Sequence, residues 1–472
     1  MIVAVLAAAL TFAPFAGSAG TPVTARAVSV APSTAYTLVW HSGAARWNAH
    51  DGKFFGITAP DSARTIAAGT SDPSGKLDLH FKVPEDFGYI HDVELHSSEA
   101  VAATQGFTVI PRLTISPASG PMGTPITVTV TGVGYRFYQA VWHLMYDGGQ
   151  TGWLSGITTH GTARVTIPAS GTVGMHTLQA LEGPGQPYLN ETQSPNFQPL
   201  IPTVISARFR VTPGPAVMPR AVVAQVPARK LAAPASASAA APRLTMNFAT
   251  GPVGSPVTLH GAGFAPATKL ALEWETNVGN RISGNGWETV LRPLAAVTSD
   301  KDGAFAVNFR TPDDLGGDHR IIAHALAADA PQTDAVYNVV PSIAGFTSTV
   351  RPGGPVTIHV KGGGWGETGN IYTVVVDNSY FGYACGFNSQ GDILIRIAAP
   401  GQTGWHFVDL YPAIYNGKIG GPGSPPQGSD VNGSYLLLPM LNVADHPGEQ
   451  LPAFHLALRV LSSSAHRSPR TL

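Results

Sequence analysis

Apolar and polar positions alternate along most of this chain. Leu77, Leu79, Phe81 and Val83 fall on one side of a run whose other side is Asp78, His80 and Lys82. A period of two is the mark of a strand with one buried face. Turn residues bracket the run, with Asp72-Pro73-Ser74-Gly75 before it and Pro84-Glu85-Asp86-Phe87-Gly88 after it. The same pattern predicts strands over Tyr36–Trp40, Ile90–Leu95 and Gly106–Ile110. Windows rich in alanine, such as Ala323–Ala330, are short and flanked by strand patterns. The expected fold class is all-β.

One stretch is used three times. Gly120-Pro121-Met122-Gly123-Thr124-Pro125-Ile126-Thr127-Val128 closes at Gly132, Gly134 and Tyr135. Gly251-Pro252-Val253-Gly254-Ser255-Pro256-Val257-Thr258-Leu259 closes at Gly261, Gly263 and Phe264, and Pro352–Ile358 closes at Gly362, Gly364 and Trp365. Each copy is a Gly/Pro turn, a β-branched strand and a Gly-x-Gly corner ending on an aromatic. Other parts recur with it. A Trp-bearing strand is expected at Trp40, Trp142 and Trp274, with Val374–Val376 in the fourth place. A strand-opening histidine recurs at His91, His176, His319 and His406. Self-similarity at this spacing implies an array of like domains. The boundaries read as a signal-like segment at 1–20, repeats at 34–111, 113–212, 244–341 and 343–445, a Pro/Ala-rich linker at 213–243, and a tail at 446–472.

This order of parts resembles bacterial immunoglobulin-like surface repeats, and the Gly-Pro-x-Gly-Ser/Thr-Pro entry is similar to the IPT/TIG type. The resemblance implies a tandem array of immunoglobulin-like β-sandwiches in a secreted or cell-surface protein of structural or adhesive role. Repeat one departs from the pattern by lacking the Gly-Pro-x-Gly entry strand.

Composition sharpens the class. Of 472 residues, 53 are Gly and 40 Pro, yet 44% are hydrophobic, which favours many short strands over disorder. Charged residues make up 12% and the net charge is −1, so no basic field is available for nucleic acid. Met1–Gly20 is an apolar run ending in small residues, as a secretory signal does. Cys385 is the only cysteine; it is expected as a small buried filler, and no intrachain disulfide can form.

Candidate chemistry is sparse. No Gly-x-Ser-x-Gly, His-Glu-x-x-His or phosphate-loop spacing occurs, so catalytic residues, cofactor and metal are all expected to be none. The four recurrent histidines lie tens of residues apart, too far in sequence for the short-spaced pairs of a zinc site. Asp300-Lys301-Asp302-Gly303 opens like a calcium loop but has no Glu at the required distance, so a hairpin turn is expected. Asp313 and Asp314, near a domain end, are the remaining candidates for calcium between repeats. Trp153 and Trp287 follow Gly152 and Gly286 in expected loops and are candidates for a ligand-stacking surface. Tyr188, Asn190 and Phe197 are further ligand-binding candidates in a long connection before a last strand.

Three functions follow. The first is a non-catalytic surface array whose partner is an extracellular protein or polysaccharide. The second is a carbohydrate- or ligand-binding module accessory to an extracellular enzyme. The third is a self-assembling filament subunit. In the third, the alternating tail residues Phe454, Leu456, Leu458 and Val460 fill the gap in repeat one of a neighbour by strand addition.

Overall fold

The computed structural model of the protein describes residues 7–50, 53–98, 100–136, 139–183, 204–219, 241–280, 286–326, 332–364, 371–386, 389–413, 439, 441–442 and 454–462. Among these the only helical element is a three-residue 3-10 turn, Ile157–Thr159. The strands build four immunoglobulin-like β-sandwiches on one plan, each pairing a three-stranded sheet with a five-stranded one.

Sandwich two shows the plan. Its small sheet runs Arg112–Ser116, Pro125–Thr131, Ala163–Pro168, all antiparallel. Its large sheet runs Ser119–Gly120, Val204–Val211, Gly174–Glu182, Trp142–Tyr146, Gly149–Leu154. The entering chain serves both sheets: 112–116 pairs antiparallel in the small one and 119–120 pairs parallel in the large one. That switch closes one side of the sandwich and lets the inward residues of both sheets meet. Ile126, Val128 and Val130 from one sheet and Leu144, Leu178 and Ala180 from the other are all 1% exposed or less. Burial of each large aliphatic stabilises by about 1.5–3 kcal/mol.

After the switch a glycine must take a positive φ to turn the chain back: Gly20 at 83°, Gly123 at 80°, Gly254 at 81° and Gly353 at 69°. Gly20 corrects the expectation for repeat one. Gly17-Ser18-Ala19-Gly20-Thr21-Pro22-Val23-Thr24 is the entry motif with Ser18 in the Pro121 position. Ahead of it, Ala9–Ala13 pairs antiparallel with Pro22–Val28, and Ala16–Gly17 pairs parallel with Thr108–Val109. The apolar run read as signal-like therefore supplies the first strand of sandwich one. That sandwich starts well before residue 34 and lacks no strand.

The tail is also corrected. Phe454–Val460 pairs antiparallel with Gly404–Pro412, and its end pairs parallel with Thr349–Val350. Phe454, Leu458 and Val460 are buried in the core of sandwich four, and Leu456 packs against it. Strand addition to a neighbour thus loses both its donor strand and its acceptor gap. Of the expected linker, 213–219 runs without strand, 220–240 lies outside the described residues, and Arg243–Met246 is already the first strand of sandwich three.

By internal contacts the chain forms two compact units, one built on sandwiches one and two together with Asn378–Tyr380, the other on the remainder of sandwiches three and four. Within the first unit a small second core, formed by Ala45, Phe87, Ala140 and Ile157, lies at the junction of the two sandwiches.

Candidate functional site

The recurrent histidines are structural, and their partners divide the sandwiches into two kinds. In sandwiches one and three the imidazole stacks on a buried Trp: His91 on Trp40 and His319 on Trp274, each at 4.5 Å between ring centroids. The ring nitrogens reach backbone carbonyls. His91 lies 2.8 Å from His41 O and 2.7 Å from Phe87 O, and His319 lies 2.8 Å from both Glu275 O and Leu315 O. In sandwiches two and four one nitrogen faces a carboxylate instead. His176 Nδ1 is 2.5 Å from Asp147 Oδ2, and His406 Nδ1 is 2.5 Å from Asp377 Oδ2. The hydrogen bond with Asp377 holds the His406 imidazole above its ordinary pKa, against an opposing effect of burial.

Strand register corrects the expected Trp series. Trp40 faces Val93, two residues after His91, and Trp274 faces Ile321, two after His319. The residue facing the same place in sandwich two is Tyr146, opposite Leu178, and in sandwich four it is Val376, opposite Val408. Trp142 sits four residues earlier, where sandwich four has Tyr372. Trp40, Trp142 and Trp274 are all core residues, at 1% exposure or less.

A buried carboxylate in each odd sandwich organises the junction to the next. Asp86 Oδ2 accepts from Trp40 Nε1 (3.1 Å) and Arg64 Nη2 (3.0 Å), while Oδ1 accepts from Ser42 Oγ (2.7 Å) and the Phe87 amide (2.8 Å). Asp314 repeats the set with Trp274 Nε1 (2.9 Å), Thr276 Oγ1 (2.9 Å) and the Leu315 amide (2.8 Å), and adds Gln390 Nε2 (2.8 Å) from sandwich four. A carboxylate removed from water needs this many donors. The glycine two residues on then meets the Gly-x-Gly corner of the following sandwich. The Gly88 amide donates to Val133 O (3.2 Å), and the Gly316 amide to Gly363 O (3.0 Å). A methyl group on Gly88 would lie 1.9 Å from Gly132 O, and one on Gly316 2.1 Å from Gly362 O, so only glycine fits. Thr162 Oγ1 donates to Glu85 at the first junction, and Lys361 pairs with Asp313 at the second. Asp313 and Asp314 are thus engaged by protein groups, as is Asp300, whose Oδ1 accepts the amides of Asp302 and Ala304 at 2.9 Å each.

On the outward face of the large sheet of sandwich one, two neighbouring strands bring together three side chains. His41 comes from Ala35–Gly43, and Glu94 and His96 come from Tyr89–His96. Glu94 Oε2 lies 3.0 Å from His41 Nε2 and 2.7 Å from His96 Nε2. The hydrogen bond from His96, with the one from His41, holds the Glu94 carboxyl below the usual carboxylate range. Sequence spacing could not show this trio, because residues 41 and 94 meet only through strand pairing.

Of the sequence-derived ligand candidates, Trp153 alone has a described side chain. Trp153 is not in a loop. The turn is Asp147-Gly148, both at positive φ, and it places Trp153 in the strand Gly149–Leu154, half-buried and opposite His143. Trp287 pairs with Gly279 in a long hairpin, and its side chain lies outside the described residues. Tyr188, Asn190, Phe197 and Trp365 also lie outside them. Cys385 is exposed, contrary to expectation. Alternation along the edge strand Ser379–Cys385 turns it outward with Phe381 and Tyr383, while Tyr380 and Ala384 face in.

No protein-family model matches this chain. No curated protein matches it either. Among solved structures, the chain is similar to a Salmonella alpha-2-macroglobulin reacted with methylamine, at 11% identity and a TM-score of 0.20, over 94% of this chain and 30% of that one. It is similar to an ICAM-5 D1-D4 ectodomain fragment, at 12% identity and a TM-score of 0.19, over 97% of this chain and 100% of that one. It is similar to the Yersinia pseudotuberculosis adhesin InvE, at 16% identity and a TM-score of 0.17, over 52% of this chain and 66% of that one. The chain thus spans under a third of the first of these proteins, and likeness at this level carries no argument about function.

Proposed function

We propose that this chain is a non-catalytic structural and adhesive protein of the cell exterior, an array of IPT/TIG-type sandwiches that presents surface to an extracellular protein or polysaccharide. The observation that carries the reading is how the recurrent polar groups are used. His91, His176, His319 and His406, with Asp86, Asp147, Asp314 and Asp377, hold sandwiches and junctions together. The entry turn present in all four sandwiches supports the IPT/TIG resemblance. Polar groups satisfied in this way favour spacing and rigidity.

The test is cell fractionation with surface labelling, followed by binding of the full chain to arrays of polysaccharides and extracellular proteins. The reading expects the chain at the surface or in the medium, and saturable binding to a member of one array. A chain confined to the cytoplasm would overturn it, as would one that binds neither array at micromolar concentration.

A further inference from the structure

We propose that His41, Glu94 and His96 form a divalent-metal site of zinc type on the outward face of sandwich one. The three ligand atoms, one from each side chain, all lie within 4.8 Å of one another. Two imidazole nitrogens and one carboxylate oxygen are the donor set that zinc takes in open three-ligand sites, with water or a partner's group as the fourth. Zinc ligands about 2.0–2.2 Å from the metal sit roughly 3.3 Å apart in a tetrahedron. The Glu94–His41 and Glu94–His96 separations of 3.0 and 2.7 Å therefore need to open by about 0.3 and 0.6 Å. Small side-chain rotations supply that movement.

The backbone holds the donors in place. Glu94 and His96 are two apart on one strand, so both point outward, and their strand is bonded on one side to the strand bearing His41 and on the other to Val101–Val109. The side chains of His41, Glu94 and His96 are 36%, 24% and 33% exposed, open enough for an ion to enter and for the fourth position to reach solvent. Asp92, two residues before Glu94 on the same outward row, adds negative charge nearby.

The molecule contains its own control. In sandwich three the register places Glu275, Ile322 and His324 where sandwich one has His41, Glu94 and His96. There the bridging carboxylate is replaced by a hydrocarbon, and His324 turns to Glu273 at 3.5 Å. In sandwiches two and four the Glu94 and His96 positions are Gln179 and Leu181, and Asp409 and Tyr411. The site is thus particular to sandwich one.

The experiment uses the full chain with Zn2+ alone as probe, by calorimetric titration, and Co2+ as its spectroscopic stand-in. The expected result is one tight site per chain and a visible cobalt absorption band of tetrahedral type. His96→Ala and Glu94→Gln should each abolish the band and weaken zinc binding at least tenfold, while His324→Ala leaves both unchanged. The variants should keep the wild-type melting temperature without metal, since these side chains face solvent; any variant that fails this check is replaced by His41→Gln. A wild-type chain that binds no zinc at micromolar concentration would overturn the proposal. So would binding and a cobalt band that survive in the His41→Ala/His96→Ala double variant.

Discussion

The odd and even sandwiches share a fold and differ in what fills one core position. Opposite the residue two after the recurrent histidine, sandwiches one and three have Trp40 and Trp274, whereas two and four have Tyr146 and Val376. The indole matters beyond its volume. Its N–H ties the core to Asp86 or Asp314, and that aspartate fixes the corner where the next sandwich docks. Among the described residues the even sandwiches have no carboxylate bonded to a core indole: the Trp142 N–H donates to the Gln139 carbonyl, and Asp409, buried in sandwich four, meets His455. Their histidine pairs instead with Asp147 or Asp377 in a tight turn, whose other oxygen accepts the amide of Thr177 or Phe407. The array is better described as a two-sandwich unit used twice than as one sandwich used four times.

Several substitutions would break or sharpen this contrast. Trp274→Ala should have the largest effect, about 3–5 kcal/mol, because it empties a large core site and leaves Asp314 without its indole donor. Denaturant unfolding should show the loss in the second pair only. Asp86→Ala should cost about 3 kcal/mol in the first pair, since the Trp40 N–H and Ser42 hydroxyl lose their partner in a dry interior. Its even counterpart, Asp147→Ala, should cost about half as much, because Asp147 is partly exposed. Equal losses at the two positions, measured by urea midpoint, would erase the distinction. The His406–Asp377 pair gives a pH signature whose sign follows from the raised imidazole pKa. A histidine whose folded pKa is raised stabilises fully below the ordinary 6.5 and loses that contribution as pH climbs through the raised value. The melting temperature of the second pair should therefore fall on going from pH 6 to pH 8.5, and Asp377→Asn should flatten that fall. Smallest of all, Lys361→Ala should cost under about 1 kcal/mol, because the pair with Asp313 is partly exposed.

How far the sequence reached follows from what alternation and turns can report. Leu77, Leu79 and Phe81 lie in the core as their spacing predicts, and Gly123, Gly254 and Gly353 have the positive φ expected of turn residues. The start of sandwich one is hidden in the sequence because Ser18 stands in the motif's proline position and because Ala9–Ala13 is as apolar as a signal. Nothing local distinguishes a short apolar first strand from such a segment. Phe454–Val460 does not show its place in sandwich four because about forty residues separate it in sequence from the strand it joins. The Trp series slipped by four residues at Trp142 because counting along one strand ignores what lies opposite. Cross-strand contact hid His41, Glu94 and His96 for the same reason, and likewise Asp86 beneath Trp40.

Hydrogen exchange on the full chain carrying Gly316→Ala tests the central claim most directly. The added methyl would meet the Gly362 carbonyl oxygen at 2.1 Å and force the second junction apart. The account predicts faster exchange in peptides of both sandwiches three and four, with protection in sandwich one unchanged. Faster exchange limited to residues beside Gly316, or unchanged protection throughout, would contradict it.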